Sequence, residues 1–127
     1  MPALLIARQY CHNQTQKREK TMIDYQDYAN SLAQNLIEDM PDDEGECYIY
    51  DMASEYADGS EHVIYYYKAH DFVQWMHASD VEHLQGEIEA GGSFVGYNEL
   101  ASRIAYYHLS NMISAAALQM LEEKDAA

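Results

Sequence analysis

A chain of 127 residues with 48% hydrophobic and 12% aromatic side chains can build one domain around its own core, which excludes a disordered acidic tail. Its formal net charge is −15, and from Met22 onward 21 acidic side chains face only Lys68, Arg103 and Lys124. A field of that sign excludes nucleic acid as a direct partner of this region and leaves about 18 carboxylates with no cation to pair with.

Charge divides the chain into residues 1–21, a basic N-terminal arm or extension, and residues 22–127, an acidic helical domain. Residues 1–20 hold Arg8, Lys17, Arg18 and Lys20 against Glu19, a net +3. The apolar run Ala3–Ala7 is too short for a signal peptide, and no stretch approaches the roughly 20 apolar residues of a membrane span. Cys11 and Cys47 match no metal or redox spacing and suit a reducing compartment. The chain reads as a soluble cytoplasmic protein.

In chain order, the first predicted helix spans about 22–39, where Tyr25, Tyr28, Ala29, Leu32, Ala33, Leu36 and Ile37 recur at helical spacing. Asp24 and Asp27 sit in its first turns, where the helix dipole favours acids, and Glu38 and Asp39 sit at the other end, where it disfavours them. The turn at Pro41-Asp42-Asp43-Glu44-Gly45-Glu46 leads into a second helix with an apolar stripe of Ile49, Met52, Ala53 and Tyr56. Its acidic stripe is Asp51, Glu55 and Asp58, at spacings of four and three. A third helix is expected over about 65–78, facing inward with Ala69, Phe72, Val73 and Met76. Val63–Tyr67 alternatively suits a short strand. Asp80 caps a short helix that ends at Gly91-Gly92. The last helix runs from about Tyr97 to Glu123 without Pro or Gly, with Leu100, Ile104, Tyr107, Ile113, Ala116 and Met120 inward. At 1.5 Å per residue it reaches roughly 40 Å, a length that must project or pack against a second copy.

The sequence holds no nucleotide loop, nucleophile elbow or zinc-protease pair. His77, Asp80 and His83 offer half of a di-metal bundle motif and nothing completes it. No cofactor and no enzymatic activity are expected. The tyrosines at 65, 66 and 67 read as core and interface side chains. That leaves the acids. Helical carboxylates three or four residues apart are about 5–6 Å from each other, a pitch comparable with the one charge per 1.7 Å that a DNA duplex presents. The expected surface comprises Asp24, Asp27, Glu38, Asp39, Asp42, Asp43, Glu44, Glu46, Asp51, Glu55 and Asp58. Its plainer readings are a solvated acidic face and halophilic adaptation.

Ala57-Asp58-Gly59-Ser60 through Tyr66-Tyr67, Asp71-Phe72-Val73 and Met76-His77-Ala78-Ser79 resembles the middle of the Ocr antirestriction proteins of bacteriophages. Ala101-Ser102-Arg103-Ile104-Ala105-Tyr106 is similar to the start of their long C-terminal helix, and the Tyr28-Ala29 helix fits their first. The likeness spans about residues 22–123 as scattered identities. It implies an all-α homodimer of four to five helices per chain with a long C-terminal helix. It also implies a mimic of bent DNA that occupies the groove of a host type I restriction–modification enzyme or related methyltransferase. This chain is less acidic than the family, lacks its long acidic tail and adds the basic N-terminal stretch. An acidic helical interaction module, such as an anti-CRISPR protein or a regulator, is the alternative.

Overall fold

The computed structural model describes residues 24–91 and 96–126. Among them are six helices and no strand: α1 Tyr25–Asp39, α2 Glu46–Asp58, α3 Glu61–Ile64, α4 Tyr66–Trp75, α5 Ala78–Ala90 and α6 Tyr97–Ala126. The all-α expectation holds. The basic arm, Cys11 and most of the glycine-rich run after α5 lie outside the described residues.

Local chemistry sets the helix starts. The Asp24 side chain accepts hydrogen bonds from the backbone N–H of Gln26 at 3.0 Å and of Asp27 at 3.2 Å, capping α1. Ser60 caps α3 through the N–H of His62 at 3.1 Å, and its hydroxyl also meets the Tyr28 hydroxyl at 2.9 Å. That second bond ties the segment just beyond α2 to the first turns of α1, so the two helices run antiparallel about the Met40–Gly45 turn.

Two expected boundaries move. The helix expected over about 65–78 is α4, which starts at Tyr66 and stops at Trp75, and a separate turn of helix, α3, precedes it, divided from it at Tyr65, whose backbone is extended (φ −98°, ψ 118°). The strand alternative at Val63–Tyr67 is not adopted, because capping by Ser60 starts a helical turn before it. The next helix begins at Ala78 behind His77, not behind Asp80, which lies in its first turn.

α6 is 30 residues long, roughly 45 Å, and its buried residues end at Ala117, with 122–125 exposed. Every other helix packs against it. Its buried ridge is Ala101, Ala105, Leu109, Ile113 and Ala117, a strict spacing of four, the row along which helices most often interdigitate. Three of the five are alanines, so neighbouring helices approach closely. Tyr107, expected inward, is 46% exposed, because it lies on the side of the helix opposite that ridge.

The remaining core is apolar and aromatic. Phe72 on α4 is fully buried, with ring centroids of Tyr25 at 4.7 Å, Trp75 at 5.8 Å, His108 at 6.0 Å and His62 at 6.4 Å. Truncating it removes a side chain shared by α1, α3, α4 and α6. Phe72→Ala is expected to cost about 3–5 kcal/mol, a large part of a typical 5–15 kcal/mol stability, as read by urea unfolding.

Two histidines are enclosed in the same cluster. Burial pushes His62 below its ordinary value, opposed by Glu61 and Asp71 and reinforced by Lys68. Burial also lowers His108, opposed by Asp80. His62 Nδ1 has no hydrogen-bond partner among the described residues. Both rings therefore stay neutral in the fold at a pH where the unfolded chain already protonates them, near 6.5. Protons then favour the unfolded state, so the melting temperature should fall as pH drops from about 7 to about 5.5. A His62→Gln/His108→Gln variant should show a shallower slope over that window, measured by thermal melts at constant ionic strength.

Candidate functional site

The acids expected as a site occupy the hairpin formed by α1, the Met40–Gly45 turn and α2. The apolar stripe of each helix explains why they lie outside. Tyr25, Ala29, Ala33 and Leu36 face the core from α1, and Ile49, Ala53 and Ala57 from α2, which leaves the opposite faces for Asp27, Asp51, Glu55 and Asp58. The turn closes through the Glu44 N–H donating to the Pro41 carbonyl at 3.1 Å, and it presents Asp42, Asp43 and Glu44 in succession. Glu46 follows in the first turn of α2.

All eleven expected carboxylates are exposed. The structure does not gather them at one point. Asp24 and Asp27 stand at one end of α1, and Glu38 and Asp39 stand at the other, about 22 Å away at helical rise. The turn acids adjoin the latter pair, and Asp51, Glu55 and Asp58 lead back along α2. Two positions converge on Tyr56, whose phenol is raised by burial first and then by the negative charge of Asp39, Tyr48 and Glu55. The outer end of α1 and the middle of α2 thus share one negative field.

Cations do not offset it. Among the described residues the ion pairs are Lys68–Glu61 and Arg103–Glu99, with His62 and His83 rings lying beside Glu61 and Glu87, and none of these contacts involves the eleven. Asp24 is committed in part to capping α1, and Glu38 accepts a hydrogen bond from Gln34 Nε2 at 3.3 Å. The other nine have no side-chain hydrogen bond or ion pair to another described residue.

Sequence reasoning undercounted the later acids. Asp80, Glu82, Glu87 and Glu89 on α5 are also exposed, and His83 Nε2 lies 3.3 Å from Glu87 Oε1. The seven-residue offsets between Asp80 and Glu87, and between Glu82 and Glu89, were the available signal. The tyrosine triplet corrects the core expectation. Tyr65, Tyr66 and Tyr67 are 49%, 57% and 55% exposed beside Ile64, and their rings cluster at 5.8–6.0 Å. The break at Tyr65 resets the helical phase, so Ala69 rather than a tyrosine opens the buried stripe of α4.

No group of three or more His, Cys, Asp or Glu able to hold a metal occurs among the described residues. His77, Asp80 and His83 are all exposed. Cys47 is a free, exposed thiol. No described helix is long and apolar enough to cross a membrane.

Fold and site together define an all-helical domain whose acidic hairpin makes no ion pair among the described residues. No family model, curated protein or solved structure matches the chain. The likeness to Ocr proteins therefore rests on the residues quoted for it.

Some of the charge works against the fold. Neither α1 nor α2 has a basic residue in its last turn, yet Glu38, Asp39 and Asp58 sit there. A charge of the wrong sign at a helix end costs about 0.3–1 kcal/mol at low ionic strength. Glu38→Gln/Asp39→Asn is accordingly expected to stabilise the protein by about 0.5–2 kcal/mol, with the gain shrinking as salt rises. Denaturant titrations at two ionic strengths measure it.

Proposed function

We propose that this protein is a DNA mimic. Its acidic hairpin occupies the DNA groove of a host defence enzyme, a type I restriction–modification complex or a related methyltransferase, and inhibits it without catalysis. The observation that carries the reading is the set of eleven exposed carboxylates on α1, the turn and α2, none facing a cation among the described residues.

Charge density supports it. Over the roughly 22 Å of α1, a duplex presents about 13 phosphate charges, and the hairpin presents eleven carboxylates. The position of Glu38, Asp39 and Asp58 at unfavourable helix ends fits a surface kept for binding at some expense of stability. A fixed array on two helices also avoids the energy of bending a real duplex. The resemblance to Ocr proteins supplies the class of target.

A second reading follows from a different observation. Ile64, Tyr65, Tyr66 and Tyr67 form an exposed apolar cluster, and aromatic anchors of that kind dominate the energy of many protein interfaces. An interaction module of the anti-CRISPR or regulator type would dock through it and use the acids for solubility.

The two readings part in one experiment, calorimetric titration of a purified type I methyltransferase core. Mimicry predicts affinity that falls steeply with salt, because screening acts over about 8–10 Å at 0.1–0.15 M, and displacement by duplex DNA. Neutralising Asp42, Asp43, Glu44 and Glu46 together should weaken binding about tenfold or more. Binding that ignores salt, duplex DNA and those four substitutions, yet is lost on Tyr65→Ser/Tyr66→Ser/Tyr67→Ser, selects the module instead.

A further inference from the structure

α3 is a single turn of helix set between Ser60 and Tyr65, both of which have extended backbone. Of its four residues only His62 is buried, so one side chain anchors the turn to the core. That side chain is 7% exposed. Its ring stands nearly perpendicular to those of Tyr25 and Tyr28 on α1, each centroid 5.0 Å away, with Phe72 of α4 at 6.4 Å. Nδ1 meets no hydrogen-bond partner among the described residues, and Nε2 lies 3.7 Å from Glu61 Oε1. An apolar ring would fill this socket without leaving a buried polar atom unpaired, so imidazole is the costlier occupant.

The charges acting on the ring come from Glu61 of α3 itself and from Lys68 and Asp71 of α4. α1 faces it with the phenols of Tyr25 and Tyr28. α6 contributes His108, on the other side of Phe72 at 6.0 Å from that ring, and α2 ends at the exposed Asp58. Glu61 is shared with Lys68 in an ion pair that crosses the Tyr65 joint, which limits what it can do for a charged imidazole.

We propose that α3 is a pH-operated latch. As the medium turns acid, His62 takes up a proton from solvent and leaves its aromatic socket, and the Ser60–Tyr65 segment detaches from α1 and α4 while the remaining helices stay packed on α6. The extended joints at Ser60 and Tyr65 let the turn move without unwinding its neighbours. His108 cannot act in this way, because it lies in the middle of α6 and is freed only with the whole domain. The Ser60 hydroxyl accepts from the His62 N–H and also meets the Tyr28 hydroxyl, so release of α3 undoes the tie between the end of α2 and the first turns of α1. The latch thereby couples proton concentration to the geometry of the acidic hairpin, whatever that hairpin binds.

The sign follows from linkage. The closed turn holds a neutral ring and the open turn exposes one with the ordinary histidine value of 6.5, so opening is favoured as pH falls through that value. Between pH 7.5 and pH 5 the opening constant should rise by up to about 30-fold. Hydrogen exchange on the full chain, read by NMR and corrected for intrinsic rates, measures it at the amides of Val63, Ile64 and Tyr65, which close the turn onto the Ser60 and Glu61 carbonyls. Their exchange should be nearly independent of urea, the mark of a local opening, whereas the amides of Leu109 and Ile113 should exchange only through urea-dependent global unfolding. His62→Phe should flatten the pH response of the three α3 amides to less than about twofold, the smaller His62→Gln should do the same, and His108→Gln should leave the response in place. Three results overturn the proposal: α3 exchange that is flat across the window, α3 exchange with the same urea dependence as α6, or a pH response that survives both substitutions of His62.

Discussion

The buried ridge of α6 is the contact on which the other five helices depend. Ala101, Ala105, Leu109, Ile113 and Ala117 repeat every four residues, and α1, α2, α3, α4 and α5 all pack on the helix that carries them. A ridge in which small residues bracket Leu109 and Ile113 allows close approach at its ends and fills the middle. Its position also decides the outer side of α6. With the ridge turned inward, Tyr107, Asn111, Ala115 and Gln119 face outward as a second row of the same spacing.

Charge is kept wholly apart from this core. The buried polar side chains are Ser60, His62, Gln74, Gln85 and Ser114, and every described Asp and Glu is exposed. Repulsion among the carboxylates is therefore left to water and counterions, where each pair interacts weakly. The separation explains how hydrophobic burial can carry so acidic a chain. It also means that changing a surface acid alters the field while leaving the packing untouched.

Much of the architecture was legible in the sequence because the apolar stripes of α1, α2 and α4 recur at helical period. Ala29, Ala33, Leu36, Ile49, Ala53, Phe72 and Val73 all face inward as that period requires. Two things were not legible. Tyr65 reads as strand, helix or break on local propensity alone, and what decides it is the Ser60 cap together with the tertiary demand that Ala69 and Phe72 reach the core. Along α6, apolar residues occur on nearly every side, so periodicity could not single out the spacing-of-four ridge, and Tyr107 was placed on the wrong face. The acidic site was legible as a list of residues, since solvated carboxylates need only a face that the core does not use. Its layout as a hairpin about 22 Å long needed the antiparallel return of α2, which the Tyr28–Ser60 hydrogen bond records.

A hairpin about 22 Å long matches only about six base-pair steps at 3.4 Å each, short of the track that a groove enclosing a full helical turn of DNA would read. The proposed mimicry therefore rests on a charge array shorter than one turn of duplex, carried on two helices whose inner faces the core already uses.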